Sequence, residues 1–88
     1  VIRRRAIVHG RVQGVGFRYA AREHAHALGL TGLVRNRSDG TVEAEFQGAV
    51  AAVEQILDWL HQGPPDAHVS AVDVEDRPTA DEHDFRIA

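Results

Sequence analysis

The stretch that decides the fold is His9–Ala25, HGRVQGVGFRYAAREHA. It starts in an alternating segment, crosses Gly10, Gly14 and Gly16, and enters a run with helical spacing. Just upstream, in residues 4–10, Ala6 and Val8 fall on one face while Arg5, Ile7 and His9 fall on the other, the period-2 pattern of a strand. From Phe17 to Leu28 the apolar positions Phe17, Ala20, Ala21, Ala25 and Leu28 trace one stripe of a helix, and Gly29 stops it. A strand therefore passes through a glycine-rich loop into a helix, with Arg18 in the helix's first turn.

Working outward, LTGLVRN (30–36) and GTVEAEFQ (40–47) read as two strands joined by RSDG, a turn with Asp-Gly at its tip. Val50, Val53, Ile56, Leu57 and Leu60 form the apolar stripe of a second helix, about Val50 to His61, which GPP (63–65) breaks. HVSAVDVED (68–76) alternates again through Val69, Ala71 or Val72, and Val74. HDFRIA closes with a short strand containing Phe85 and Ile87. The order β-α-β-β-α-β, with one stripe per helix and one apolar face per strand, predicts an α+β, ferredoxin-like sandwich: two helices on one face of an antiparallel sheet, plus a short extra C-terminal strand. A single domain is expected over residues 1–88, with Trp59 capping the hydrophobic layer beside the second helix.

Composition bounds the partners. The 43% hydrophobic and 26% charged content is that of an ordinary globular chain. No run reaches the roughly 20 apolar residues of a membrane span, and no signal-peptide pattern is present. Cysteine is absent, which excludes disulfide and thiolate sites and leads us to expect a cytoplasmic protein. All ten basic residues are arginine, and eight lie in residues 1–37, where Glu23 is the only acid; residues 38–88 hold two arginines against twelve acids. A net charge of −3 with a cationic N-terminal part argues against broad nucleic-acid binding and fits a local site for a small anion. Arg3, Arg5 and Arg22 are expected to decorate exposed faces.

The topology supplies geometry. The first and second strands run in the same direction, so the end of the first, the start of the first helix and the end of the second meet at one edge. The glycine loop, Arg18 and Asn36 are expected together there, with Gly32, Val34 and Asn36 sharing the helix-covered face. A loop entering a helix N-terminus presents unpaired N–H groups and the positive end of the helix dipole. Glycines let it curl with positive φ, and an arginine adds a planar fork of donors for phosphate oxygens. On the residues alone, the loop reads either as a phosphate cradle or as an ordinary turn. Asn36, the only asparagine, either ends its strand or orients a water. GVGFRY lacks the third glycine of a dinucleotide fingerprint, and no GK[ST] follows. His24 and His26, two apart on a helix, point in different directions and cannot share a metal, and no metal site is expected.

GRVQGVGFR (10–18), LGLTGLVRNRSDGTVEAEFQG (28–48), the GPP segment and the closing Phe85 and Ile87 together resemble the acylphosphatase family over essentially the whole chain. The resemblance implies hydrolysis of the carboxyl-phosphate anhydride of acyl phosphates, to carboxylate and inorganic phosphate, by water attack at phosphorus. It implies that no metal takes part; we further expect no cofactor, a monomer, and neither nucleic acid nor membrane as partner. Carried onto this chain, Arg18 binds the phosphoryl group, Asn36 positions the water, and the amides of Gln13, Gly14, Val15, Gly16 and Phe17 complete the phosphate site with Arg18. One departure is Leu33, where many members carry Trp; it is expected on the open sheet face, away from the chemistry.

Two other readings remain. The same scaffold carries RNA-recognition and ligand-sensing modules, so fold alone does not decide function. RNA recognition calls for exposed aromatics on the sheet, where Glu43 and Glu45 are expected instead. A non-catalytic anion-binding module is the broader form of this alternative. The other is an N-terminal domain cut from a larger carbamoyltransferase-type protein that matures hydrogenases. The closing strand favours a stand-alone protein.

Overall fold

The computed structural model describes residues 1–88. Seven elements follow in order: β1 (Ile2–Arg11), α1 (Phe17–Ala27), β2 (Thr31–Asn36), β3 (Val42–Gly48), α2 (Val50–Leu60), β4 (His68–Arg77) and β5 (Phe85–Ile87). They form one five-stranded sheet of order β4-β1-β3-β2-β5. The first four strands pair antiparallel, as expected of the ferredoxin-like sandwich.

The expected extra C-terminal strand makes the sheet mixed. β5 runs parallel to β2, with Gly32 opposite Phe85 and Val34 opposite Ile87. The reason is the chain's path: β4 ends at Arg77 beside Arg3, and the 78–84 link crosses that same edge, held by Gln47 at Ala80 (2.8 Å), to the start of β2. Phe85 then stacks on Phe46 with ring centroids 5.3 Å apart and an interplanar angle of 6°. That contact seats the strand beside β2, and the Gly32 amide donates to the Asp84 carbonyl at 3.0 Å while the Ala88 amide donates to that of Val34 at 2.9 Å.

Alternation decides what each face holds. Ala6 and Val8 of β1, Val34 of β2 and Val42, Ala44 and Phe46 of β3 are fully buried beneath the helices. Phe17, Ala21 and Ala25 of α1 meet them, with Val53, Ile56, Leu57 and Leu60 of α2. Gly29, at φ 69°, ends α1 with two capping bonds, from its own amide to the His26 carbonyl and from Leu30 to that of Ala25. Trp59 ties the two helices together, 5.5 Å from the Phe17 ring and 4.3 Å from His24.

A bulge resolves the ambiguous alternation in β4. Gly10 lies opposite Val69 and His9 opposite Ala71, so Ser70 is the extra residue, and Val69 and Val72 both pack against the core. Gly10 is sterically obligatory there. A Cβ at this position would stand 2.1 Å from the His68 carbonyl oxygen.

The open face of the sheet overturns the expectation for Arg3. Its side chain is buried, donating to Glu45 at 2.8 Å and Glu82 at 2.6 Å. Arg5 is half-buried and reaches Glu43 at 2.8 Å and Glu75 at 2.9 Å, while Arg35 donates to the other Glu43 oxygen at 2.9 Å. Register sets Arg5 opposite Glu45 and Glu75 and Arg35 opposite Glu43, whereas Arg3 lies opposite Gln47 and Arg77 and reaches Glu45 diagonally. Burial pushes the Glu43 carboxyl up, but the hydrogen bonds from Arg5 and Arg35 outweigh it and hold it below its ordinary value. Leu33 lies on this face, opposite Glu45.

Candidate active site

β1 delivers the chain to residues 12–16 at the sheet edge where β2, running the same way, ends at Asn36. Val12, Gly14, Gly16, Phe17, Arg18, Tyr19 and Asn36 line one cavity of about 180 Å³ there. The expected meeting of loop, arginine and asparagine is therefore what the fold produces. Val12 and Phe17 are buried and form its apolar side, whereas Tyr19 is 60% exposed.

The loop's curl depends on two glycines. Gly14 has φ 72° and Gly16 has φ 79° with ψ 17°, and no residue other than glycine in the chain has positive φ. Neither glycine faces an obstacle within 4 Å, so conformation rather than space calls for glycine. Val15 between them has negative φ. Alternating signs of φ turn successive N–H groups toward one concavity, an anion-binding nest. The first hydrogen bond of α1 is donated by Ala20 to the Gly16 carbonyl at 3.1 Å, and no turn or cap bond is donated by the amides of Gln13 to Arg18. The first turn of α1 also holds no acidic residue. These donors and the helix's positive end are the kind of group that a helix N-terminus offers to an anion.

Arg18 is a free cation. Arg3, Arg4, Arg5, Arg35, Arg37 and Arg77 each have a carboxylate within 4 Å; Arg18 has none. It is half-buried at the cavity wall, where an unpaired guanidinium attracts a multivalent anion strongly. Asn36 is half-buried on the helix side of β2, in register with Val42, and no protein group hydrogen-bonds its carboxamide.

Gln13 uses its side chain. Its side-chain nitrogen donates to the Arg37 carbonyl at 2.7 Å and the Thr41 carbonyl at 2.9 Å, tying the glycine loop to the β2–β3 turn next to Asn36. The turn is itself braced. The Arg37 amide donates to Thr41 at 2.9 Å, and the Thr41 hydroxyl and amide both donate to one Asp39 oxygen, at 2.6 and 3.0 Å. The bond from the Thr41 hydroxyl, then that from its amide, holds the Asp39 carboxyl below its ordinary value. Val15 is half-buried and packs against the core, and of the expected loop residues neither it nor Gln13 lines the cavity.

Sequence reasoning missed the Gln13 side chain and Tyr19. No local signal gives Gln13's target, which lies 24 and 28 residues away. Tyr19 left a trace: it falls off the Phe17–Ala21–Ala25 stripe, so helical spacing turns it out of the core. The histidines are dispersed, with His9 on Asp73 at 2.8 Å, His24 on Trp59 and His26 at the Phe85 carbonyl at 3.1 Å.

Comparison with known proteins fits this geometry. The acylphosphatase family profile matches residues 4–87. An acylphosphatase of Acidovorax sp. (strain JS42) is 49% identical over 84 residues, covering 96% of this chain and 87% of its own. The crystal structure of acylphosphatase from Bacillus subtilis superposes with a TM-score of 0.96 at 36% identity, over 100% of this chain and 99% of the other. Full-length HypF, solved in its phosphate- and nucleotide-bound form, superposes with a TM-score of 0.85 at 26% identity, but the match spans only 12% of that longer chain. Both identity and TM-score are higher for the acylphosphatases than for HypF. Sequence, fold and the match over residues 4–87 agree: the chain belongs to the acylphosphatase family.

Proposed function

We propose that the cavity hydrolyses acyl phosphates by direct attack of water on phosphorus, with Arg18 and the amides of Gln13 to Phe17 holding the phosphoryl oxygens and Asn36 orienting the water. The observation that carries this is one cavity lined by the glycine loop, an arginine without a carboxylate partner and an asparagine without a protein partner. The water oxygen bonds to phosphorus as the P–O bond to the acyl group breaks. That electron pair leaves with the carboxylate, and the water's proton passes to a phosphate oxygen.

A sparse site suffices for this substrate. The leaving carboxylate has a conjugate acid of pKa about 4, so it departs without a general acid. Phosphoryl transfer through a loose transition state asks mainly for positioning and charge stabilisation, and little of the nucleophile. Each well-aimed donor is worth about 10²–10³ in rate. Neither a metal nor a cofactor has a step in this scheme. The protein acts as a monomer in the cytoplasm, with residues 1–88 as a single domain, without nucleic-acid or membrane partners.

The test is release of inorganic phosphate from benzoyl phosphate in excess EDTA, for the wild-type protein and a folded Arg18→Ala variant. Rapid EDTA-insensitive hydrolysis, lost in the variant together with phosphate binding, is expected. No hydrolysis by folded wild type would instead leave an anion-binding module.

A further inference from the structure

The cavity has an aromatic side chain at its open side that the core does not use. Tyr19 directly follows Arg18, lines the cavity and is 60% exposed, while the other aromatic lining residue, Phe17, is 2% exposed. The lining therefore grades from a buried floor to an open aromatic rim. The phenol makes no hydrogen bond, so nothing in the protein accounts for a large ring held in water at this point. One turn along α1, the Arg22 guanidinium lies over the ring, 5.4 Å from its centroid, and Arg22 has no carboxylate partner. Cation–π contact fixes the ring's orientation from one face and leaves the rest of it available.

An acyl phosphate has two ends. If the phosphoryl group lies on the loop amides and Arg18, the acyl group projects away from the helix N-terminus, and the only large apolar surface at the opening is the Tyr19 ring. We propose that Tyr19, held by Arg22, is the acyl-group platform and makes the enzyme select flat aromatic acyl phosphates over small aliphatic ones. This assignment rests on the phosphoryl-transfer reading of the cavity. A flat acyl group stacks on the ring, whereas an acetyl group is too small to cover it. The cations at Arg18 and Arg22 further disfavour acyl groups bearing an ammonium.

The test compares kcat/KM for benzoyl phosphate and acetyl phosphate in wild type, Tyr19→Ala, Tyr19→Phe and Arg22→Gln, with inhibition by inorganic phosphate measured on each. In Tyr19→Ala the benzoyl-to-acetyl ratio is expected to fall about tenfold, chiefly through KM for benzoyl phosphate. Tyr19→Phe keeps the ratio, Arg22→Gln lowers it about two- to threefold, and the inhibition constant for phosphate stays within twofold throughout. Equal losses on both substrates, or an unchanged ratio in Tyr19→Ala, would overturn the platform while leaving the phosphoryl site intact. If phosphate does not compete in the wild type, the underlying reading of the cavity fails and this inference falls with it.

Discussion

The Gln13 carboxamide spans the gap between the two halves of the site, donating to the Arg37 carbonyl at 2.7 Å and the Thr41 carbonyl at 2.9 Å. Arg18 sits on a helix and Asn36 on a strand, and no hydrogen bond joins those two directly. Their alignment passes through Gln13. In Gln13→Ala, kcat is expected to fall about tenfold with a smaller rise in KM, and stability to drop by about 1–3 kcal/mol from the two lost hydrogen bonds, each carbonyl keeping one backbone donor. Gln13→Glu is expected to be worse, because a carboxylate would face two carbonyl oxygens. Steady-state kinetics with urea denaturation of each variant checks both.

Asn36 separates rate from affinity. Asn36→Ala is expected to lower kcat about a hundredfold while phosphate affinity changes less than threefold. Phosphate titration beside single-turnover kinetics reads the two quantities independently. Parallel loss of both would remove the water-orienting role.

The glycines of the motif divide by mechanism. Gly16→Ala meets no atom within 4 Å and forces only an unfavourable φ, so about 1–2 kcal/mol of stability is expected to be lost. Phosphate affinity should fall further than that, because the nest is distorted. Gly10→Ala drives a methyl group to 2.1 Å from the His68 carbonyl oxygen, and stability is expected to fall by more than 3 kcal/mol. Denaturation midpoints of the two variants should therefore differ plainly.

Acid should unlock the open face of the sheet. The Glu43 carboxyl ionises below its ordinary value of 4.5, so its stabilising effect is complete above that pH. As pH falls below 4.5 the unfolded chain takes up the proton first, and the contribution drains away until the folded carboxyl protonates too. Asp39 acts with the same sign. Glu43→Gln is expected to cost about 1–3 kcal/mol at neutral pH and to flatten the decline between pH 5 and 3. Urea midpoints across that range test it; parallel wild-type and variant curves would show that Glu43 is not the group responsible.

What local pattern can carry, the sequence carried. Ala6 and Val8 against Arg5 and Ile7 named the buried face of β1, and strand direction plus parity brought Asn36 to Arg18's edge of the sheet. What was lost depends on partners far along the chain. Arg3 reads as a surface residue until Glu45 and Glu82, 42 and 79 positions away, close over it. Gln13 likewise has no visible task until the β2–β3 turn arrives. The parallel pairing of β5 follows from the 78–84 link re-entering the sheet at the edge where β2 begins, which no spacing rule encodes.

The interior placement of β1, between β4 and β3, has a kinetic consequence. Its residue Arg3 lies opposite Gln47 on one side and Arg77 on the other, so the middle of the sheet is joined by pairings between remote parts of the chain. Such closures lose entropy before contacts compensate, and chains dominated by them fold in about milliseconds to seconds. The glycine loop hangs from the end of this strand, so its amides gain their final geometry late. An anion that binds only the finished nest stabilises the native chain without helping the transition state. Phosphate should therefore slow unfolding and leave the refolding rate almost untouched.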